Sequence, residues 1–230
     1  MPVSAAPLRA LSVLVGLPVL LFALITWQVV ADGPLVGMDE RLSGELVHPD
    51  RFSELLADLG NVQVAVPVLV VALAYVAWQG RATGMGLWWL PPLAGALAMV
   101  LVPALVVPLK EWTDRPGTPA VPPAVGYYPS GHTATAVVAY GAATLLLLGG
   151  LRSPAVRRGL VVLCAVLVLG TSYGLVRRGY HWPLDVVASW CLGAVLLLGV
   201  RQVASRTPPA VSRSTRRNSS GTPSSRNGPS

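Results

Sequence analysis

Two of the three histidines in this 230-residue chain stand in short polar segments that also carry charged side chains. His132 follows Pro129-Ser130-Gly131, and His181 lies four residues before Asp185. Residues four apart can share one face of a helix, so the Asp185 carboxylate can bond to one nitrogen of the His181 ring. Such a bond fixes the tautomer and makes the other ring nitrogen a better nucleophile. The pattern predicts a nucleophilic histidine with an orienting carboxylate, and a second histidine that transfers a proton.

The residues around His132 also predict an anion site. Ser130 suits the N-cap of a helix, where free backbone N–H groups and the positive dipole favour a bound anion. Gly131 lets an anion approach the backbone closely. Lys110, which alone would equally suit a snorkelling helix anchor, adds a cation. Together these groups are what phosphoryl transfer through a covalent phosphohistidine needs, since positive groups neutralise the charge that develops on the phosphoryl oxygens.

The same segments give no reason to expect a metal, another cofactor or a nucleic acid. They lack a cluster of carboxylates, and the two histidines are not at the spacing of metal ligands. The formal charge of +7 comes from basic residues that form no stripe with interleaved aromatic side chains. No cofactor and no nucleic-acid partner are therefore expected.

The elements that position these residues are predicted to be membrane-spanning helices. The chain is 53% hydrophobic and 12% charged, whereas a soluble domain carries about a quarter charged residues. We expect an all-α, polytopic membrane protein with a six-helix bundle, in which the third apolar block, with its four prolines, is kinked or starts late. The six blocks, each near the roughly 20 residues that cross a hydrocarbon core, are Leu11–Val30, Val62–Trp78, Met85–Leu109, Thr133–Leu151, Gly159–Val176 and Leu184–Val200.

The distribution of charge orients the bundle. With the N-terminus in the cytoplasm, most of the 17 basic residues fall inside and all 10 acidic residues fall outside, as the positive-inside rule favours. We therefore expect a multi-pass plasma-membrane protein with both termini cytoplasmic and with both histidine loops on the extracytoplasmic face. The first block could also be a cleaved signal peptide, because Val29-Val30-Ala31 resembles a cleavage site, although its apolar run exceeds a usual signal core.

The chain divides into a transmembrane domain over residues 1–205 and a polar tail over residues 206–230. Within the domain, charged and apolar residues alternate over residues 32–61, which predicts one or two short amphipathic helices outside the membrane. The tail is rich in Ser, Thr, Pro, Asn and Arg, so we expect it to be disordered and cytoplasmic. The sequence leaves the oligomeric state open.

In their order and their loops, Lys110, Pro129-Ser130-Gly131-His132, His181 and Asp185 resemble the motifs of the type 2 phosphatidic acid phosphatases. These are membrane lipid phosphate phosphatases related to vanadium haloperoxidases, and the resemblance covers roughly residues 31–200. It implies that His181 is the nucleophile, that Asp185 orients it and that His132 is the general acid. It also implies a phosphate site formed by Lys110, Arg115, Ser130 and Gly131.

Two arginines of the family pattern are absent in register. The first family motif has Arg-Pro where this chain has Gly117-Thr118, and the third has Ser-Arg where it has Gly174-Leu175. Arg115 would point to the same side of an extended loop as position 117, and Arg178 lies about one helical turn beyond position 175. We expect these two arginines to hold phosphate in place of the missing ones.

The leading hypothesis is a metal-independent phosphatase that hydrolyses a lipid phosphate or diphosphate at the outer membrane face. Its substrate stays open among phosphatidate, phosphatidylglycerol phosphate, a polyprenyl diphosphate and a polyprenyl-linked sugar phosphate. The displaced arginines support an alternative, a catalytically weak or inactive relative that binds lipid headgroups. A transporter is disfavoured, because no ionisable residue lies near the middle of an apolar block.

Overall fold

A computed structural model describes residues 5–206, which form eight α-helices and no β-strand. Six of these helices, all except α2 and α3, are long and apolar enough to cross a membrane. The predicted all-α fold with six spans is thereby confirmed, whereas the tail from residue 207 onwards lies outside the described residues. The helices are α1 (Ala5–Val30), α2 (Pro34–Leu46), α3 (Arg51–Asp58), α4 (Val62–Ala82), α5 (Leu90–Thr113), α6 (Gly131–Leu148), α7 (Pro154–Arg177) and α8 (Pro183–Ser205).

Serine and proline residues set where several helices begin. The Ser130 hydroxyl oxygen accepts a hydrogen bond from a first-turn backbone N–H at 3.2 Å, so α6 has the N-cap that its sequence predicts. α7 and α8 each begin with a proline, whose missing N–H would have no helical partner in the first turn. α5 begins at Leu90 with Pro91 and Pro92 directly after it, which is the late start that its prolines predict.

α6 lies at the centre of the bundle and contacts α4, α5, α7 and α8. It is 72% buried, whereas less than half of every other span is buried. Small residues let its neighbours come close: a Cβ added at Gly141 would lie only 2.5 Å from the Leu197 side chain of α8. Close approach at small residues is how spans associate in lipid, where no hydrophobic drive brings helices together.

The starts of α6 and α8 meet at one end of the bundle. The Ser130 N–H donates to the backbone carbonyl of Asp185 at 3.2 Å, and the Ser189 hydroxyl donates to the backbone carbonyl of Ser130 at 2.8 Å. The C-terminal end of α5 lies at the same end, because Lys110 donates to the carbonyl of Gly126, in the loop that leads into α6, at 2.7 Å. The two loops that carry the histidines therefore come together, as predicted.

The segment between α1 and α4 forms two short helices that pack onto this end of the bundle. α2 contacts α1, α7 and α8, and α3 lies along α7. Asp50 fixes the start of α3, because its carboxylate accepts from the Ser53 N–H at 2.6 Å and from the Arg177 Nε–H at 2.9 Å. These bonds, with that from Ser53 the stronger, lower the pKa of Asp50 to about 2. The cap and the ion pair together tie α3 to the end of α7.

Contact between α3 and α7 is closest at Gly174. A Cβ added there would lie 2.5 Å from the backbone nitrogen of Ala57 and 2.5 Å from the backbone oxygen of Ser53. Backbone atoms of a packed helix cannot rotate away as a flexible side chain can, so position 174 accepts glycine and no larger residue unless α3 shifts. The serine that the family pattern has here does not fit this packing.

Gly174→Ala is expected to destabilise the protein by about 1–3 kcal/mol, because the added methyl group overpacks the contact between α3 and α7. Gly159→Ala on the same helix is the matched control: nothing lies within 4 Å of its added Cβ, and alanine is a better helix former by up to about 1 kcal/mol. Thermal unfolding in detergent measures both. Equal stability of the two variants would contradict the close approach of α3.

Candidate active site

An open cavity of about 910 Å³ lies where the end of α5, the start of α6 and the loop before α8 meet. Lys110, Gly131, His132 and His181 line its polar part. Its other walls are largely apolar and run down between α4, α5 and α6. The cavity therefore joins a charged mouth to an apolar interior, and four of the eight site residues that the sequence predicted line that mouth.

His181 and Asp185 form a bonded pair at the back of this cavity. Nδ1 of His181 lies 3.1 Å from Oδ2 of Asp185, which also accepts the Trp182 N–H at 3.2 Å. The Asp185 side chain is fully buried, and His181 is 5% exposed. Because Nδ1 is engaged by the carboxylate, Nε2 is the ring nitrogen left for chemistry. This is the arrangement of an oriented nucleophile.

The second histidine faces the first across the cavity. The ring centroids of His132 and His181 lie 6.5 Å apart, and both rings line the cavity. Nε2 of His132 lies 2.7 Å from Oδ1 of Asn61, and the amide nitrogen of Asn61 donates to Asp58 at 2.9 Å. Because the Asn61 amide group is already oriented by Asp58, its oxygen must accept, so His132 carries a proton on Nε2. This Nε2 proton is donated to Asn61, so the proton that His132 can give to another group is the one that Nδ1 carries when the ring is positively charged.

The sequence pattern gives no indication that Asn61 belongs to the site. An asparagine directly before an apolar block reads as a helix N-cap, and Asn61 does stand at the N-cap of α4, but its side chain makes no capping bond. The side chain is turned to His132 instead. Nothing in the local sequence distinguishes these two uses.

Lys110 and Tyr127 complete the mouth of the cavity. Lys110 Nζ lies 5.8 Å from the centre of the Tyr127 ring, and that ring meets the His181 ring edge-on at 5.8 Å between centroids. The ring also fills the space beside Gly117, where an added Cβ would lie 2.7 Å from it. Tyr127 therefore takes the volume into which a side chain at position 117, the place of a family arginine, would extend.

The start of α6 presents unpaired donors to the cavity. Among the described residues, no acceptor bonds the backbone N–H groups of Gly131 and His132. An added Cβ at Gly131 would meet only Val106, at an ordinary 3.8 Å, so packing does not demand glycine there. Ser130 is fully buried as the N-cap and does not line the cavity. The Ser130 side chain holds the start of α6 in place. The N–H donors available to an anion belong to the next two residues, Gly131 and His132.

Arg115 does not lie where the sequence predicted. One of its nitrogens, Nη1, donates to Asp185 at 2.6 Å and the other, Nη2, donates to Asp39 of α2 at 2.7 Å, and all three side chains are at most 4% exposed. The loop turns back on itself after Arg115, with Pro116 paired to Val125, and does not run extended as assumed. The guanidinium is therefore carried behind the His181–Asp185 pair and away from the cavity wall.

Arg178 also lies apart from the cavity. Its side chain faces Glu54 at 3.7 Å and the Tyr180 hydroxyl at 3.4 Å. Leu175, at the place of the second family arginine, is 1% exposed and packs in a small recess beside the histidines. Among the described residues that line the cavity, Lys110 is thus the cation next to the two histidines.

Asp39 is a second residue that the sequence did not indicate. It and Ser43 are the buried residues of α2, a helix whose pattern suggested only an amphipathic surface element. Burial raises the pKa of Asp39 above its usual value, and the hydrogen bond from Arg115 opposes that shift. Asp39 also accepts the Leu184 N–H at 2.9 Å, so it caps the first turn of α8 from another helix.

The chain resembles known proteins in sequence and in fold. A family model described as PAP2 superfamily matches residues 92–208, just over half of the chain. An undecaprenyl-diphosphatase from Sulfolobus acidocaldarius is 44% identical over 81 residues, which are 35% of this chain and 35% of that protein. The chain thus matches about a third of that relative's length.

A solved structure is similar over most of the bundle. It is the first transmembrane PAP2 type phosphatidylglycerolphosphate phosphatase from Bacillus subtilis, with a TM-score of 0.67 and 24% sequence identity over 82% of this chain and 96% of that one. At this identity the likeness concerns the fold. The range matched by the family model holds Lys110, both histidines and Asp185, whereas Asp39 and Asn61 precede it.

Arg115→Met is expected to destabilise the protein by about 3–5 kcal/mol, because it leaves two buried carboxylates without their common cation. Arg177→Met is the matched control. The Arg177 side chain is 33% exposed in its ion pair with Asp50, and loss of an exposed pair costs less than about 1 kcal/mol. Thermal unfolding of both variants in the same detergent measures the difference. Comparable losses would show that Arg115 is not a buried clamp.

Proposed function

Because the chain belongs to the PAP2 superfamily, as the resemblance of its motifs predicted, we propose that it hydrolyses a lipid phosphate or diphosphate without a metal, through a phosphohistidine intermediate. The observation that carries the proposal is the pair of neighbouring histidines that line one cavity, one bonded to a buried carboxylate and the other donating its Nε2 proton to Asn61. Both relatives named above are phosphatases of membrane-lipid substrates by their descriptions.

The reaction proceeds in two displacements. Nε2 of His181 attacks phosphorus, the bond from phosphorus to the leaving oxygen breaks, and His132, which starts as an imidazolium, gives that oxygen one of its two ring protons. Asp185 holds the ring and stabilises the positive charge that it gains. In the second step His132, now neutral, takes a proton from water; the water oxygen attacks phosphorus and His181 leaves, which releases inorganic phosphate. The free enzyme is restored with its original protons.

The phosphate would be held by Lys110 and by the free N–H groups of Gly131 and His132. Donors fixed before the reaction stabilise the charge that develops on the phosphoryl oxygens at no cost of rearrangement. Ser130 contributes as the cap that fixes this helix start. Arg115 acts through Asp185 and does not touch phosphate, which departs from the role expected of it in sequence. Arg178 is likewise left out of the phosphate site.

The rest of the cavity supports a lipid as substrate. Below the histidines it is lined by Val66 of α4 and by Met99, Val100 and Pro103 of α5, all within helices apolar enough to cross a membrane. A hydrocarbon chain between α4 and α5 would leave its phosphate at the mouth. The relatives favour phosphatidylglycerol phosphate and a polyprenyl diphosphate as the first substrates to test, beside phosphatidate.

We place the mouth of the cavity on the extracytoplasmic face of the plasma membrane, with both termini in the cytoplasm. The support is the distribution of charge: the histidine loops share their end of the bundle with Asp39, Asp50 and Asp58, whereas Arg81 and Arg157 lie at the opposite ends of their helices. That asymmetry fits the positive-inside rule.

A second candidate function is favoured by one observation. Tyr127 beside Gly117 and the buried Leu175 occupy the places of two family arginines, and this leaves the site short of cations. A protein with this site could bind a lipid headgroup without hydrolysing it. Phosphate release separates the two functions.

Phosphate release from a panel of lipid phosphates is the primary test, run on detergent-purified protein with and without EDTA. We expect release that survives the chelator and is absent in His181→Ala, because that variant has no nucleophile. The control variant is His48→Ala, in the loop between α2 and α3 and away from the cavity, which should retain wild-type activity. Binding of the lipids without release would establish the second candidate, and full activity of His181→Ala would refute the mechanism.

His132→Ala is expected to lose activity according to the leaving group. Loss of a general acid costs about 10²–10⁴-fold when the leaving group is a lipid alcohol, whereas nitrophenolate leaves without a proton. We therefore expect the first turnover of p-nitrophenyl phosphate to stay near the wild-type rate while the first turnover of the lipid slows by that factor. Rapid-quench measurements of one turnover separate this step from hydrolysis of the intermediate. Equal losses on both substrates would remove His132 from the acid role.

A further inference from the structure

Asp39 is a buried carboxylate that precedes the range matched by the family model. A single side chain, that of Arg115, connects it to the pair formed by Asp185 and His181. Resting on the function proposed above, we infer that Asp39 is a positioning residue of the reaction. It restores negative charge behind His181 that Arg115 would otherwise cancel, and it fixes the start of α8 that carries Asp185. The helix α2 is thus part of the catalytic apparatus.

The geometry joins Asp39 to the nucleophile through two short contacts. Arg115 lies between two carboxylates, 2.7 Å from Asp39 and 2.6 Å from Asp185, and Asp185 in turn bonds to His181 at 3.1 Å. Asp39 uses its other oxygen to accept the Leu184 N–H at 2.9 Å. Both carboxylate oxygens of Asp39 therefore accept hydrogen bonds, which fits the ionised form. A negative group at this position also suits the positive end of the α8 dipole.

The charges of the three buried groups explain why a second carboxylate matters. Asp185 and Arg115 alone would sum to zero, so the carboxylate behind His181 would offer little net attraction to a positive ring. With Asp39 the cluster carries one net negative charge. The His181 ring gains positive charge as Nε2 bonds to phosphorus, and a net negative cluster stabilises that state. Almost no part of these side chains reaches solvent, so their charges act strongly on one another and on the ring.

Other titratable groups face His181 from each neighbouring element, and all of them border open space. They line the cavity or the recess beside it, where water screens their charges, so they differ from the buried cluster. They are Lys110 of α5, His132 of α6, Asp58 of α3, Tyr127 before α6 and Tyr180 before α8.

A purely structural role for Asp39 makes a different prediction. A helix cap and an ion pair add to stability, and their loss lowers the unfolding temperature without altering the pH at which a folded enzyme loses activity. A charge behind the nucleophile alters that pH. The test therefore uses the pH profile of kcat/KM, together with the separate effects on kcat and KM.

The experiment is a charge cycle made of wild type, Asp39→Asn, Arg115→Gln and the double variant. Each is purified in detergent, checked for folding by thermal unfolding, and measured for phosphate release from the lipid phosphate that wild type hydrolyses best. Asp50→Asn is the matched control, since Asp50 is a carboxylate of the same capping segment that pairs with an exposed arginine. The Asp50 variant should keep the wild-type profile.

In Asp39→Asn the acid limb of kcat/KM is expected to move to lower pH by about one unit, because loss of a negative charge disfavours the protonated ring. By the same charge argument kcat falls about tenfold, while KM stays within about twofold since no contact with substrate is lost. Arg115→Gln should move the acid limb the opposite way. The double variant, again with one net negative charge, should return toward the wild-type limb.

Acid limbs that coincide across the folded variants would overturn the inference and leave Asp39 a structural cap. If Asp39→Asn alone does not fold, the same step is measured by comparing Arg115→Gln with the double variant, where the shift to lower pH is again required. The outcomes stay distinct from those of the proposed function. A wild-type protein that releases no phosphate refutes that function, whereas an active wild type with unmoved limbs refutes only the role of Asp39.

Discussion

Complete burial of the Asp185 carboxylate is the constraint on which the site depends. A buried charge is tolerated only when it is paired and its oxygens accept hydrogen bonds, and Asp185 meets this need with donors from separate parts of the chain. Arg115 comes from the loop after α5, whereas His181 and the Trp182 N–H precede α8. Its backbone carbonyl accepts the Ser130 N–H, and the Ser189 hydroxyl shares its one hydrogen between this carbonyl and that of Ser130. Satisfying one aspartate thus brings the ends of three spans to the same place.

The membrane explains why all this polar structure lies at one end. Inside hydrocarbon each backbone N–H and carbonyl must find its partner within the helices, so charged side chains that need several partners gather where the spans end. The helices α2 and α3 cover that end and pack tightly against the bundle, which affects two positions of the site. At Gly174 the backbone of α3 occupies the space of a side chain, and α2 delivers Asp39 to the interior. The same covering that shelters the buried charges therefore removes one family residue and supplies a different one.

The parts of the fold and the site that follow from local rules were predictable from sequence. The six spans are set by runs of apolar residues, the start of α6 by Ser130, and the meeting of the histidines by the fact that their loops end on one face. The positions of the Arg115 and Asn61 side chains were not predictable from sequence. Arg115 depends on its contact with Asp39, and Asn61 depends on its contact with His132, and both contacts join residues far apart in the chain. An extended loop would have directed Arg115 to the cavity, but the pairing of Pro116 with Val125 turns that loop back. Short-range periodicity carries no information on such contacts.

If His181 attacks phosphate as proposed above, the displaced arginine changes how charge is divided around the reacting group. In the family pattern arginines stand on the phosphate side; here Tyr127 fills one of those places and Leu175 the other, and Arg115 lies behind the nucleophile. A positive charge behind His181 weakens Asp185 as a partner for the attacking ring. Without a compensating group, the position of Arg115 would therefore be unfavourable in two ways: the phosphate side loses one cation, and the back of His181 gains one. Asp39 offsets the extra positive charge behind His181, because with it the cluster of Asp39, Arg115 and Asp185 carries one net negative charge. In the proposed mechanism the phosphate side then relies on Lys110 and on the N–H groups of α6, which neutralise the oxygens, while the three buried groups stabilise the ring. In the mechanism proposed above, negative charge grows on one side of the new bond and positive charge on the other as phosphorus binds to His181. This arrangement places a group of opposite charge beside each and so stabilises both.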